Sequence, residues 1–349
     1  MNAPPPWAEI EQHVEWGALL VGNGASRAVW DGFEYASLFE AACLPTVQGH
    51  LTPEAQDVFR RLGTRNFEQV LSRLRIAAEV SAALGLPAAP FMEQYERIRY
   101  ALAAAVHHVH IPWDRLPDDT LITIGEALSR YSRVYSTNYD IVIYWAAMQM
   151  NARQTRHQFK DYFWTKGNEE TTEFHISDAE VWGRDVTSIL YLHGALHLVR
   201  TLDGGTHKVC NHEGARVLDR FGEPILEGAV PLVVSEGDSS NKLASIEQSS
   251  YLSHALAVFS FDKSPLVILG HSLGPTDDHL VDAIDQGFLE DRRQIAIGLH
   301  PAGGSSADQE RYFRARLGKA DLIFFDARTH PLTRADLHQD APDPGSLFG

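Results

Sequence analysis

A chain of 349 residues with 44% apolar, 22% charged and 10% aromatic residues has the make-up of a soluble globular protein, long enough for one large or two modest domains. A formal charge of -16 disfavours unspecific attraction to nucleic acid or anionic lipid, no apolar run reaches the roughly 18 residues of a membrane helix, and the first residues lack a signal-peptide pattern. Two cysteines far apart, Cys43 and Cys210, exclude a disulfide framework and any four-thiolate site, so free thiols in the cytoplasm are expected.

In chain order, Glu9 to Glu15 reads as a short helix and Gly17 to Val21 as a buried strand. That strand runs into Gly22-Asn23-Gly24-Ala25-Ser26-Arg27, a glycine turn that lets backbone approach closely, with Ser26 placed to cap a following helix. A hydride-enzyme fingerprint would place glycine where Arg27 stands, so a standard dehydrogenase is not expected. Residues 30–118 turn helical: Phe67, Val70, Leu71 and Leu74 keep the spacing of one helix face, with Asn66 as its cap, and Phe91 to His108 forms a second helix. His107-His108-Val109-His110 has no acid or thiol at ligand spacing, and a structural role is expected for it.

Leu121 to Ser129 is a further helix, and Arg133 to Ser136 a short buried strand. The strand ends in Thr137-Asn138-Tyr139-Asp140, which opens an apolar helix reaching Met150. Asn151 to Arg184 is polar, aromatic and aperiodic, a surface excursion. Ser188 to Leu192 is the next strand, and it delivers His193-Gly194, a histidine well placed for proton transfer. His193 and His197 lack the acid of a helical zinc pair, and His207, Cys210 and His212 lack a fourth ligand, so no metal is expected. Arg200 to Ala229 reads as loop, Pro231 to Ser235 as a strand, and Asn241 to Phe259 as one long helix. Pro265 to Leu269 is a parallel-type strand ending in Gly270-His271-Ser272-Leu273-Gly274. Pro275, Asp277 and Asp278 suit the start of the helix that follows. Strands Gln294 to Leu299 and Leu322 to Phe325 flank a helix from Ser306 to Leu317, and residues 331–349 form a polar tail.

Strands alternating with helices, with polar and glycine residues at strand ends, predict an α/β fold: a doubly wound, mostly parallel Rossmann-like sheet over residues 1–330, with a helical insertion at 30–118 after the first strand. The ends at Gly22, Asn138, His193 and Ser272 then face one crevice. One chemistry for it is a serine hydrolase, with Ser272 of Gly270-His-Ser-Leu-Gly274 as nucleophile. That reading leaves 77 residues after Ser272 for the acid and histidine, and puts Asp277 and Asp278 near a developing oxyanion.

Taken together and in order, Gly22-Asn-Gly24-Ala-Ser26, Thr137-Asn138-Tyr-Asp140, His193-Gly194 and Gly270-His-Ser272-Leu273 resemble the sirtuin-like NAD-binding domain. The likeness is closest to bacterial sirtuin-like NADases of anti-phage defence, where a Phe-Glu helix such as Phe67-Glu68 also recurs. The resemblance spans roughly residues 17–328. It implies hydrolysis of NAD to nicotinamide and ADP-ribose, because two cysteines cannot build the zinc module of protein-deacylating sirtuins. It further implies Asn138, His193 and Asp140 as catalytic residues. Gly22, Asn23, Gly24, Ser26, Arg27, Thr137, Gly270, Ser272 and Leu273 would be the residues binding NAD. Such an activity is toxic to its own cell, so the resemblance implies control by homo-oligomerisation or by a partner, a HerA-type ATPase among them, with no membrane and no direct nucleic-acid contact. A sensor that binds NAD or ADP-ribose without turnover is the non-catalytic alternative.

Overall fold

The computed structural model describes residues 3–34, 38–153, 155–163, 171–176, 185–201, 204–210, 229–234, 238–286 and 292–340. Seven strands form the main sheet: β1 (Ala18–Val21), β2 (Arg133–Ser136), β3 (Gln158–Lys160), β5 (Val186–Tyr191), β9 (Leu266–Leu269), β10 (Gln294–Leu299) and β11 (Asp321–Asp326). Every pairing in it is parallel, and the order is β11-β10-β9-β1-β2-β5-β3. Without the edge strand β3, the six remaining strands stand in the spatial order third, second, first, fourth, fifth, sixth of a Rossmann sheet, with the reversal point between β1 and β9. Helices flank this sheet. β1, β9 and the middle of β10 are apolar and fully buried, as strands covered on both faces must be.

Between β1 and β2 the chain builds α2 (Asn23–Val29), α3 (Leu38–Ala42), α4 (Pro53–Leu62), α5 (Phe67–Ala83), α6 (Ala89–Val109) and α7 (Asp118–Leu128), after an N-terminal α1 (Trp7–Ile10). α5 starts as its sequence predicts: the Asn66 side chain accepts the Gln69 N–H, and Phe67, Val70, Leu71 and Leu74 go inward. Glu68 is buried as well and pairs with Arg200 at 2.7 Å. Burial lifts its carboxyl to about 7, and the nearby guanidinium pulls the other way. A raised carboxyl favours the folded state below its unfolded value of about 4.5, and that advantage is lost as pH rises through about 7. Replacing Arg200 with alanine is expected to cost about 3 kcal/mol in urea denaturation at pH 8, where the acid must stay charged without a partner. At pH 5, where Glu68 carries its proton, the cost should shrink.

Several elements differ from the sequence expectation. The first helix is shorter and earlier, at Trp7–Ile10. α2 begins at Asn23, so Ser26 lies inside it and does not cap it. The excursion after Met150 supplies β3, which pairs with β5 at the sheet edge, and β4 (Thr171–Glu173). Gly194–Arg200 is a strand, β6, so His193 and His197 do not lie on a helix. With β4, β7 (Thr206–Val209) and β8 (Val230–Val233) it forms a second, antiparallel sheet in the order β4-β7-β6-β8, which the sequence does not announce. The long helix is two: α9 (Ser239–Glu247) and α10 (Ser250–Phe261), broken where the Ser249 side chain caps the second by accepting the Leu252 N–H. The helix after β9 is α11 (Asp278–Gln286), and α12 (Ser306–Arg316) precedes β11. The stretch read as a polar tail from 331 packs against the body as far as 340, with Leu332 and Leu337 buried beside His330. Residues 341–349 lie outside the described ones.

Candidate active site

The C-terminal ends of β5, β2, β1 and β9 lie side by side, because the register pairs Tyr191 with Ser136, Ser136 with Val21, and Val21 with Leu269. At the reversal point the glycines serve a close crossing. A Cβ on Gly22 would lie 2.6 Å from the Gly270 carbonyl oxygen, and Gly270 itself has φ +69 with the Ala25 nitrogen 2.4 Å from where its Cβ would be. The Gly22 and Gly24 N–H groups are donated to the Leu269 and Gly270 carbonyls at 2.9 Å each. The approach they permit is of chain to chain, and those two donors are already used. Asn23 donates its side-chain amide to the Phe33 carbonyl, and Thr137 donates both its N–H and its hydroxyl to the Val21 carbonyl. Thr137 ties the ends of β1 and β2 together, and Asn23 ties the start of α2 to the 3-10 turn at Asp31–Glu34. Arg27 and Ser272 are exposed at the rim, while Leu273 is buried, with φ 47, its N–H donated to Nδ1 of His271.

Next to this crossing sits a closed polar cluster. Ser26, one turn into α2, donates its hydroxyl to Asp140 Oδ2 at 2.5 Å and accepts from the Asn138 side-chain amide at 2.7 Å. Asp140 Oδ1 accepts the Val142 N–H at 3.0 Å at the start of α8 (Val142–Ala152). Burial raises the Asp140 carboxyl above its usual range, against the pull of these hydrogen bonds. The loop is fixed from behind by His110, whose Nε2 accepts the Ile141 N–H while Nδ1 donates to the Ile111 carbonyl. His110 is thus structural, as expected. Asn138 is 3% exposed, and its Oδ1 has no hydrogen-bond partner. An orphaned buried acceptor costs about 1–3 kcal/mol.

His193 follows one strand over. Gly194 has φ +73 and turns the chain from β5 straight into β6; a Cβ there would meet the Leu232 carbonyl oxygen at 2.0 Å. The turn is locked by the Val234 N–H on the His193 carbonyl and by the Leu196 N–H on the Tyr139 carbonyl, next to Asn138. His193 is buried, and its Nε2 faces Nε2 of His279 at 2.9 Å. Desolvation, reinforced by Lys242, His279 and His271, holds its pKa well below the usual value. The ring is neutral.

Asp277, His279, Lys242, His271 and Ser239 were not singled out as site residues by the sequence, because α9 and α11 reach His193 only through the fold. Lys242 bonds Asp277 Oδ1 at 2.7 Å, and both are buried. His193, Asp277 and His279 hold three possible ligand atoms within 4.8 Å of one another, the one such grouping among the described residues. The Lys242 ammonium already balances Asp277, and 2.9 Å between ring nitrogens is an N–H···N distance, so this cluster is electrically closed without an ion. His207 and Cys210 do not join it, and His212 lies outside the described residues. A cavity of about 310 Å³ opens where α8, β3, β5 and β7 meet, between Tyr144, Met148, Phe159, Asp161, Tyr191 and Lys208. None of the sequence-predicted site residues lines it; it reaches Tyr191, two positions before His193. Behind it His197 stacks on Tyr144 at 4.4 Å with neither ring nitrogen bonded.

The Gly-x-Ser-x-Gly stretch does not have the shape of a nucleophile elbow. In that elbow the nucleophile itself holds the strained turn, whereas here the positive φ falls on Gly270 and Leu273. Among the described residues no histidine bonds the Ser272 hydroxyl.

A parallel sheet in Rossmann order, with Asn138 and His193 just past the ends of neighbouring strands, defines the class: an α/β protein of Rossmann-like fold. Residues 19–331 match the family described as a domain of unknown function, DUF4917, and the chain belongs to that family. No curated protein matches the chain. Among the described residues no helix is long and apolar enough to cross a membrane.

Proposed function

We propose that the protein hydrolyses the nicotinamide glycosidic bond of NAD, releasing nicotinamide and ADP-ribose, as a regulated effector of anti-phage defence acting in the cytoplasm. The observation that carries this is the pair Asn138 and His193: an unpartnered buried carboxamide oxygen and a neutral imidazole, each two positions past the paired last residues, Ser136 and Tyr191, of neighbouring strands of a Rossmann-ordered sheet. Cleaving the bond builds positive charge on the ribose, so the site needs a group that orients water or the ribose hydroxyls and a base that takes the water's proton. Asn138 serves as the first and His193 as the second. Ser26 accepts from the Asn138 amide and is itself held by Asp140, whose carboxyl adds negative potential near the developing cation. The glycine crossing brings β1 and β9 together at the reversal point, which leaves phosphate contacts to the exposed rim, where Arg27 and Ser272 stand. Self-toxicity of the reaction calls for control by self-association or by a partner such as a HerA-type ATPase.

Purified protein incubated with NAD, alone and with the product of a neighbouring gene, should release nicotinamide on chromatography. Asn138→Ala and His193→Ala are each expected to lower the rate at least about a hundredfold. Full activity in both variants would end the proposal. Binding of ADP-ribose in calorimetry with no turnover under any condition would make the protein a sensor, and labelling of Ser272 by a fluorophosphonate would make it a serine hydrolase.

A further inference from the structure

Behind His193 the structure holds an ordered row of groups. His193 Nε2 lies 2.9 Å from His279 Nε2, and His279 Nδ1 lies 3.1 Å from the Ser239 hydroxyl. That hydroxyl also accepts the His279 backbone N–H at 2.9 Å, which fixes the start of α11 against α9. The Nδ1 edge of His193 makes no hydrogen bond among the described residues. The remaining charged or titratable groups near the row are accounted for. Lys242 pairs with Asp277; His271 accepts the Leu273 N–H at Nδ1, which leaves its proton on Nε2 toward Asp277 Oδ2 at 4.0 Å; exposed Asp278 is paired with Arg316.

We propose that His279, backed by Ser239, is a positioning residue that fixes the tautomer of His193 so that Nδ1 presents a lone pair to the crevice. The Ser239 oxygen accepts both N–H groups of His279, the backbone one and Nδ1–H, and keeps its own O–H for solvent at a half-buried position. His279 Nε2 is then bare and accepts Nε2–H from His193. With that proton committed, Nδ1 of His193 is the free basic site. The arrangement does with an imidazole what a buried carboxylate does for the histidine of a hydrolase triad: it orients the ring and selects the protonated nitrogen. The inference rests on the NAD-hydrolysis reading for its catalytic meaning. In that reaction a water oxygen bonds to the ribose C1′, the C1′–N bond breaks with its electron pair going to the departing neutral nicotinamide, and the water proton goes to His193 Nδ1. His193 Nε2–H stays shared with His279 throughout, and the proton on Nδ1 later leaves to solvent. Lys242 opposes charging of the ring, and Asp277 offsets it.

The test reads the tautomer directly and does not need turnover. In ¹⁵N-labelled protein, long-range ¹H–¹⁵N spectra distinguish the two neutral forms of an imidazole, and His193 is assigned by loss of its signal in His193→Gln. The wild type should show His193 protonated at Nε2 and bare at Nδ1. In His279→Phe, which keeps a ring but removes the acceptor, the signal should shift toward the Nδ1–H form. In His279→Gln, whose amide oxygen can still accept, it should move back. If the wild type hydrolyses NAD, His279→Phe should lower kcat about tenfold to a hundredfold with KM within about twofold, and His279→Gln should restore part of it. Should the wild type prove inactive, the NAD reading fails while the spectra still decide the tautomer. A wild-type His193 protonated at Nδ1, a His279→Phe spectrum unchanged at His193, or one bound transition metal per chain by elemental analysis would each overturn the inference.

Discussion

Gly270→Ala is expected to cost about 3–5 kcal/mol, enough to leave much of the protein unfolded, whereas Gly63→Ala at nearly the same φ should cost only about 1–2 kcal/mol. Gly63 has φ +65 at the end of α4 with nothing within 4 Å of a new Cβ, so only the left-handed conformation is penalised. Gly270 has φ +69 and adds contacts of 2.4 Å to the Ala25 nitrogen and 2.8 Å to the Gly24 carbonyl carbon. These are backbone atoms of the opposing strand-to-helix turn, which cannot swing aside as a flexible side chain would. Urea denaturation of both variants beside the wild type checks this. Equal midpoints would mean that the β1 and β9 ends are not pressed together, and the crevice as described would be wrong.

Acid should destabilise the protein progressively from about pH 6.5 down to about 3. His110, packed edge-on between Phe33 and Trp145, has its pKa lowered to about 4, and His330, against Trp7 and Tyr131, to about 3; burial is the first cause in both. A group whose folded pKa is depressed contributes stability that is present above its unfolded value, about 6.5, and is lost as pH falls toward the folded one. At about 1.4 kcal/mol per pKa unit the two together forfeit on the order of 8 kcal/mol by pH 3, comparable with the whole stability of an ordinary domain. Both rings also accept backbone N–H groups, from Ile141 and Leu332, which a protonated imidazole cannot do. Glu68 acts with the opposite sign, so the decline should steepen below about pH 4.5, once that acid is protonated in the unfolded chain as well. Stability measured by urea titration from pH 7.5 to 4 should fall along this course, and His330→Gln should flatten it. A flat profile down to pH 4 would mean that these imidazoles are not sealed as described.

The sequence by itself determined the strands that build the sheet and the residues at their ends. Short apolar runs bounded by glycine and polar residues suit the strands of a covered sheet, so β1, β2, β5, β9, β10 and β11 were legible from local pattern, as was the Asn66 cap of α5. Parallel pairing then forced Gly22, Asn138, His193 and Gly270 to one rim, since every strand of such a sheet points its C-terminal end the same way.

Only the tertiary structure decided what those ends touch. β6 and β8 carry the same apolar signal as the main strands, and nothing local says that Gly194 diverts them into a second sheet. Ser26 reads as a helix cap until the Asn138–Asp140 loop, 112 and 114 positions away, takes its hydroxyl. The glycines read as a phosphate turn until Gly270 is found pressed against them. His279, 86 residues from His193, has no signature at all, because a hydrogen bond between distant imidazoles exists only once two helices and a strand have packed. Local chain stiffness and burial are written residue by residue; partnership between polar groups far apart is a property of the packed whole.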